Sequence, residues 1–348
     1  MDSIISNFLS KLEFGEVHSV GNGTCNPAAD QGTIISNGVK IFNNMAVIPL
    51  FTSINESPQY LTLKEALEKR LLTITEVSQS GSVPELKVVN KAEIPVLLLD
   101  GEELAGAKQN RVLNTTILLK ENSETVIPVS CTEQGRWAYA SREFSESGHI
   151  MNRNVRSRKV SSVSRSLRES RVYNADQGAV WEGISNFSVA ADVHSPTGAM
   201  REVFESREND LKGYLDAFQY VPHQKGIFVV VNGMAVGFDI LSLSSAYEMI
   251  HPKLVKSYAM DALLQKKENA DGASIDKTKS FIKEATECEE KRYESIGHGW
   301  DHRFEGKTMV GSSLVYQEKV IHMAFFKIDE EERVGTISSS SRRRGFRM

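Results

Sequence analysis

Short strands separated by turn signals constrain the fold of this chain more than any other feature. Asn232-Gly233 lies inside the apolar segment 225–240, and Asn-Gly between β-branched runs is the strongest short-range signal of a hairpin. Segments 39–51, with a turn at Asn43-Asn44, and 308–327 have the same character. Strands and helices do not alternate regularly, so a doubly wound parallel sheet is not favoured. We therefore predict an α+β fold with mainly antiparallel sheets built from hairpins and with helices concentrated in the C-terminal half.

A further hairpin is predicted from two β-branched and aliphatic segments, 110–120 and 125–133, which flank a polar linker. If that linker closes a symmetric hairpin, Asn114 lies opposite Cys131 and Arg111 lies opposite Gln134. The preceding segment 95–100 is predicted as a buried strand that ends in a turn at Gly101. Side chains alternate along a strand, so Glu133 would face away from Arg111. We therefore expect a bulge at Gly135 to bring the two onto one site.

The open end of this hairpin and the turn before it hold a dense group of polar side chains and one indole. The group consists of Glu102, Glu103, Gln109, Asn110, Arg111, Asn114, Cys131, Glu133, Gln134, Arg136 and Trp137. Fixed donors and acceptors of these kinds form polar recognition sites. The same charges could instead neutralise one another in an internal salt network. Cys131 is a candidate nucleophile, although a lone cysteine on a strand is commonly a small buried hydrophobe.

This region contains two long motifs, GEELAGAKQNR at 101–111 and IPVSCTEQGRW at 127–137. Both resemble motifs of a known family. The chain resembles an uncharacterised domain family named for its association with ADP-ribosylglycohydrolase and rhodanese-phosphatase proteins. The resemblance extends from about residue 32 to residue 327, and it leaves 152–172 and the tail after 329 outside the family pattern. The matching positions are Gly101, Glu102, Gly106, Gln109, Asn110, Arg111, Cys131, Glu133, Gln134, Arg136 and Trp137.

The resemblance implies a ligand derived from NAD or ADP-ribose, or another nucleotide. Arginines would then hold phosphate, amides would hold ribose or base edges, and Trp137 would stack on a ring. The expected ligand-binding residues are Gln109, Asn110, Arg111, Asn114, Gln134, Arg136 and Trp137. The candidate catalytic residues are Glu102, Glu133 and Cys131, with a glutamate as general acid or base. One hypothesis is therefore a hydrolase acting on an ADP-ribose-related substrate. The alternative is a non-catalytic sensing or protein-interaction module whose polar cluster is a structural salt network.

Composition and the lack of certain motifs argue against several classes of function. The net charge of −4 over 348 residues gives no global basic field, so nucleic acid is not the expected partner. The three cysteines lie far apart and form no CxxC pair, which fits the cytoplasm. The chain contains no apolar run of the ~20 residues that a membrane helix needs. It also lacks the glycine-rich dinucleotide and phosphate motifs, and two histidines within 297–303 are weak evidence for a metal. We expect no cofactor and no metal.

The order of segments predicts three regions. Residues 1–31 are predicted as an N-terminal helix and loop, 32–329 as a single α+β domain, and 330–348 as a disordered tail. Within the domain, 141–172 is a basic insertion rich in serine and arginine. Such a segment can bind polyphosphate or nucleic acid, but a solvated helix and loop is the favoured interpretation, because charge runs usually face water.

Overall fold

The computed structural model describes residues 1–15, 34–36, 38–54, 58–78, 81, 84–265 and 274–328. The helices are α1 (Ser3–Ser10), α2 (Leu63–Glu68), α3 (Arg153–Ser170), α4 (Gln177–Ala190), α5 (Met200–Ser206), α6 (Glu208–Ala217), α7 (Ser244–Leu264) and α8 (Ile275–Thr286). The strands are β1 (Leu12–Phe14), β2 (Ile34–Ser36), β3 (Val39–Phe42), β4 (Met45–Thr52), β5 (Leu61–Thr62), β6 (Leu72–Glu76), β7 (Glu85–Asn90), β8 (Val96–Leu98), β9 (Glu102–Gly106), β10 (Arg111–Leu113), β11 (Ile117–Leu119), β12 (Ser123–Cys131), β13 (Phe144–Ile150), β14 (Gly226–Val231), β15 (Met234–Leu241), β16 (Glu289–Glu294), β17 (Trp300–Glu305), β18 (Met309–Tyr316) and β19 (Lys319–Lys327).

A large antiparallel sheet contains the hairpins that the turn signals predict. Its strands follow the order β16-β17-β18-β19-β15-β14-β4-β3-β2, and β1 adds to β4. Asn232 and Gly233, which join β14 to β15, have φ angles of 48° and 73°, as a two-residue hairpin turn requires. The pairs β3–β4 and β18–β19 are antiparallel as well. One face of the sheet packs against α3 and α7, and the other packs against α1 and α8.

Two smaller sheets carry the polar motifs. One has the order β13-β9-β10-β12-β7-β6, and the other has the order β11-β8-β5. The pair β5–β8 is parallel, and every other strand pair in the described residues is antiparallel. Most of the helical residues follow β13. The predicted α+β class with mainly antiparallel sheets is therefore confirmed.

The hairpin predicted over 110–133 is wrong in its register. The segment 110–120 is two short strands, β10 and β11, which belong to different sheets. Arg111 lies opposite Cys131, three positions from the predicted pairing with Gln134. β10 ends at Leu113, and the side chain of the next residue, Asn114, accepts a hydrogen bond from Ser130 and donates one to the Tyr173 carbonyl, at 2.8 and 3.0 Å.

The basic segment 141–172 is part of the core, which neither interpretation of its sequence anticipated. It forms β13 and α3, and α3 buries Arg156 and Lys159 completely. Arg156 makes two hydrogen bonds to Asp239 in β15, at 2.7 and 3.0 Å, and one to Asp100, at 2.8 Å. Lys159 contacts the other oxygen of Asp100 and donates to the Leu113 carbonyl at 2.8 Å. The sequence pattern resembled a solvated face because its counter-charges come from distant segments.

This buried charge network continues into the large sheet. His322 in β19 lies 3.2 Å from Asp239 through Nε2 and 2.9 Å from Thr116 through Nδ1, so both ring nitrogens of this buried histidine have partners. Tyr258 donates to Asp239 at 2.8 Å. Burial alone would raise the pKa of Asp239, but Arg156 and His322 hold it well below its usual range. An internal salt network therefore exists around Asp100 and Asp239, in addition to the charged groups at the open end of β10 and β12.

The chain begins with α1, within the region 1–31 that was predicted as an N-terminal helix and loop. Residues 16–31 of that region and the predicted tail at 330–348 lie outside the described residues. In the described part of the chain, no helix has the length and apolar character to cross a membrane.

Candidate functional site

Arg111, the first residue of β10, lies at the centre of the polar cluster. Its Nη1 donates to Gln109 Oε1 at 2.8 Å and to Cys131 Sγ at 2.7 Å. Its Nη2 lies 3.8 Å from Glu76 Oε1 in β6. The guanidinium is wholly buried, yet Nε and Nη2 have no hydrogen-bond partner, and neither does Glu76 Oε2. Buried polar atoms are almost always paired, so these three require an explanation.

The Trp137 ring covers Arg111, and Lys108 connects this ring to that of Tyr139. The Trp137 ring centroid lies 5.6 Å from the Arg111 guanidinium carbon, and 48% of Trp137 is exposed. Lys108 Nζ lies 5.2 Å from the ring centroids of both Trp137 and Tyr139. Gly81 packs beneath this group, because a Cβ there would lie 3.3 Å from both Trp137 and Lys108. Cations over rings attract, so these contacts hold the layer in place although about half of Trp137 is exposed.

Arg136 and Glu133 form a clasp between two loops. Arg136 donates to Glu133 Oε2 from Nε and Nη2, at 2.9 and 2.6 Å, and to the Ala107 carbonyl at 2.7 Å. It also donates to Asn110 Oδ1 at 3.2 Å, and the Asn110 N–H donates to Glu133 at 3.2 Å. Burial opposes ionisation of Glu133, but the bonds from Arg136 and Asn110 lower its pKa. These groups fasten the segment after β12 to the segment after β9.

Glu103 is a second buried carboxyl near this clasp. It lies on β9 and faces the side opposite to Leu104, which pairs with Arg111. Thr132 donates to its Oε1 at 2.6 Å, while its Oε2 is buried without a hydrogen-bond partner. Burial raises the pKa of Glu103 to about 7, despite Thr132, Ser147 and Arg201, and the charge of Glu133 adds to the rise. The surroundings therefore shift the pKa values of Glu103 and Glu133 in opposite directions, as in acid–base pairs.

Glu102 and Asn114 lie outside the Arg111 cluster. Glu102 accepts hydrogen bonds from Lys253 and from the Leu99 N–H, the latter at 2.8 Å. Lys253 also donates to Glu146 at 2.6 Å. Asn114 is occupied by Ser130 and Tyr173, as described above. Gly101 leaves no opening beside Glu102, because a Cβ at Gly101 would lie 3.0 Å from the Arg156 side chain.

The expected convergence of side chains is therefore only partly present. Gln109 joins the cluster through Arg111 and also donates to the Gln134 carbonyl at 3.3 Å, whereas the Gln134 side chain is exposed. The predicted bulge at Gly135 is wrong, because β12 ends at Cys131. Gly135 serves a close approach instead: its N–H donates to the Thr197 carbonyl at 2.7 Å, and a Cβ would lie 2.9 Å from Thr197 Cα.

Cys131 is enclosed from every side. Its side chain has no exposed surface, and its backbone N–H and carbonyl bond to the Gln177 side chain of α4 at 2.7 and 3.0 Å. Burial raises the pKa of the Cys131 thiol although Arg111 opposes the rise. A buried thiol of raised pKa is a weak nucleophile.

Three residues of the cluster, Lys108, Tyr139 and Glu76, were not predicted from the sequence. Lys108 lies inside the first motif, next to Gln109, and Tyr139 lies two residues after the second motif ends at Trp137, so both positions were an available signal. Glu76 lies on β6, far upstream in the chain, and no local pattern connects it to Arg111. The two histidines of 297–303 bond to different carboxylates, Glu121 and Glu290. No metal-binding group of three or more His, Cys, Asp or Glu is found among the described residues.

A groove of about 650 Å³ runs between the edge strands β6 and β13. Its wall includes Thr73, Arg70 and Lys91 on one side and Glu143 and Glu146 on the other. Glu146 connects this groove to the buried Glu102 through Lys253. Basic and acidic side chains therefore face the same space.

The fold and the cluster together define an α+β protein with a polar site at the ends of a short-stranded sheet. The chain belongs to the family described as the ARG and Rhodanese-Phosphatase-superfamily-associated Protein domain, whose family model matches residues 35–326. The matched range contains both polar motifs and also spans α3. No curated protein and no solved structure matches the chain.

Proposed function

We propose that this protein binds a nucleotide-type ligand of the ADP-ribose class at the Arg111 cluster. The observation that carries the proposal is the wholly buried guanidinium with two unpartnered nitrogens beneath the accessible Trp137 ring. An unpaired buried donor costs about 1–3 kcal/mol, and more when it is charged. A phosphate or ribose oxygen that accepts from Nε and Nη2 would recover that cost.

Ligand entry in this proposal requires a movement of Trp137. The ring lies on the segment 132–143, which has no helix or strand, so its displacement breaks no strand ladder. Once displaced, the ring is available to stack on a base or nicotinamide-like ring, as tryptophan commonly does. Arg136, Asn110 and Asn114 are occupied by protein partners, so in this proposal they shape the site and leave contact with the ligand to Arg111, Gln109 and Trp137.

A hydrolase is the second candidate, and the pair Glu103 and Glu133 favours it. A carboxyl that is half-protonated near neutral pH beside an ionised one can donate a proton to a leaving group while the other activates water. In this assignment Glu103 takes the general-acid role, since Glu102 is held by Lys253 and a backbone N–H.

The alternative without catalysis is a sensing or protein-interaction module. The buried cysteines Cys131 and Cys288 are unpaired, which supports a cytoplasmic location.

The binding proposal is tested by thermal shift and calorimetry with ADP-ribose, NAD and AMP. A ligand of the native state raises the melting temperature of the wild type. Arg111→Lys should weaken binding about tenfold or more, because lysine loses the planar two-pronged contact. Trp137→Ala should weaken it by a similar factor through the loss of stacking. Trp300→Ala is the matched control, since Trp300 is 44% exposed and packs on Arg292 elsewhere.

Two results would contradict the binding proposal. One is the absence of binding across the whole nucleotide panel, which would leave a structural or protein-interaction role. The other is equal weakening by Trp137→Ala and Trp300→Ala, because only the first removes a ring from the Arg111 cluster.

The catalytic proposal is tested by chromatography of nucleotides incubated with the protein. Glu103→Gln should abolish turnover and leave ligand affinity within a few-fold, because it removes the proton and keeps the shape. Glu102→Gln is the comparison. If Glu102→Gln abolishes turnover and Glu103→Gln does not, the acid–base role belongs to Glu102. If the wild type binds a nucleotide and never yields a product, the sensing alternative stands.

A further inference from the structure

The groove between β6 and β13 is lined by none of the residues that contact Arg111, so it is a separate surface. Its volume of about 650 Å³ lies within the ~300–1,000 Å³ of pockets for organic ligands. The apolar lining consists of Leu67, which is partly exposed, and of Leu72 and Phe144, which are nearly buried and close the groove from below. Every other lining residue is polar or charged, and most of them are exposed.

Two exposed cations lie side by side in the lining. Arg70 lies just after α2, and Lys91 directly follows β7. The Lys91 N–H donates to the carbonyl of Leu71, the residue after Arg70, at 2.8 Å, so the backbone holds the two positions together. Neither side chain forms an ion pair with a residue that the structure describes. Their positive charges are therefore available to a ligand in the groove.

The opposite wall carries an uncompensated negative charge. Glu143 directly precedes β13 and is exposed, and it also lacks an ion pair within the described ranges of the chain. Glu146, further along this wall, is already held by Lys253 at 2.6 Å. Because Glu143 does not pair with Arg70 or Lys91, charges of opposite sign face each other across open space.

These charges favour a ligand that carries both signs. An anion such as phosphate would be repelled by the carboxylates of one wall, and a simple cation would be repelled by the arginine and lysine of the other. A molecule with a carboxylate at one end and an ammonium group at the other is attracted to both walls. An apolar group between its two ends would cover the accessible part of Leu67.

We propose that the groove between β6 and β13 binds a short peptide with free termini. The C-terminal carboxylate of the peptide is held by Arg70 and Lys91, since arginine can bind a carboxylate with two parallel hydrogen bonds. The N-terminal ammonium group is held by Glu143, and an apolar side chain in the middle packs on Leu67. An extended tripeptide is about 10 Å long, because each residue adds about 3.3–3.6 Å, so its termini are far enough apart to serve opposite walls.

The test is an NMR titration of the full chain at low ionic strength with the tripeptide Ala-Leu-Ala, its N-acetylated form and its C-terminal amide. Each modified peptide lacks one of the two charges. Arg70→Gln should weaken binding of the free tripeptide about threefold, the effect of one exposed ion pair. It should leave the affinity of the amide unchanged, because the partner charge is already absent. Glu143→Gln should likewise weaken binding of the free tripeptide and leave the affinity of the acetylated form unchanged.

Lys279→Gln on α8 and Glu182→Gln on α4 are the matched controls, because both side chains are exposed and lie outside the groove. Free leucine is the control ligand, since it has the same charged groups without the length, and it should bind more weakly than the tripeptide. The proposal is overturned if the tripeptide does not bind the wild type, or if free leucine binds as tightly. It is also overturned if acetylation and amidation leave the affinity unchanged, or if the groove variants have no larger effect than the controls.

Discussion

Replacing Arg156 by methionine should destabilise the protein severely, because Arg156 neutralises two buried carboxylates at once. The substitution keeps side-chain volume but removes the bidentate contact with Asp239 and the bond to Asp100. All three side chains are buried to within about 1% of their surface. Removing one partner of a buried ion pair costs about 3–5 kcal/mol, since it leaves a charge uncompensated. Lys159 still neutralises Asp100, so most of the loss should come from Asp239.

The loss is measured as the free energy of unfolding from urea titration at pH 7. A loss of about 3–5 kcal/mol is a large part of the ~5–15 kcal/mol that stabilises most domains. Arg168→Met is the control: Arg168 pairs with Glu305 on the surface, both about a third exposed, and such pairs contribute about 0–1 kcal/mol. If Arg156→Met costs less than about 1 kcal/mol, or no more than Arg168→Met, the network does not hold the fold together.

Local signals predicted the hairpins correctly because a two-residue turn determines its own strand pairing. Asn232-Gly233 fixes β14 against β15 without help from distant residues. The register of β10 could not be obtained in that way. β10 is only three residues long and pairs with both β9 and β12, and the Asn114 side chain beside it bonds to Tyr173 from a remote segment.

Charge patterns were the least predictable feature of the sequence. Arg156 and Lys159 are three residues apart on α3 and therefore share a helix face, which looks solvated when its partners are unknown. The partners are distant in sequence: Asp100 lies in the turn between β8 and β9, and Asp239 lies in β15. The position of Glu102 could not be predicted for the same reason. Its salt bridge to Lys253 of α7 holds it away from the Arg111 cluster, whereas other residues of the same motif belong to that cluster.

Further expectations concern single residues of the candidate site. Cys131 should resist a thiol reagent in the folded protein and react only on unfolding, since it has no exposed surface; rapid labelling of the native state would restore its candidacy as a nucleophile. Lys253→Met should lower the free energy of unfolding from urea titration by about 3–5 kcal/mol, because it leaves Glu102 buried beside Glu146 without a counter-charge.

Glu103→Gln should become increasingly stable relative to the wild type as the pH rises. Burial raises the pKa of Glu103 from 4.5 to about 7, so the folded wild type binds more protons than the unfolded chain between these values. The stability associated with the protonated carboxyl is present below pH 4.5 and is lost as the pH rises through 7. Glutamine is neutral throughout, so the difference in unfolding free energy between Glu103→Gln and wild type should grow by about 2–3 kcal/mol from about pH 5 to pH 8. A constant difference over that range would mean that Glu103 is ionised in the folded protein and cannot serve as the acid.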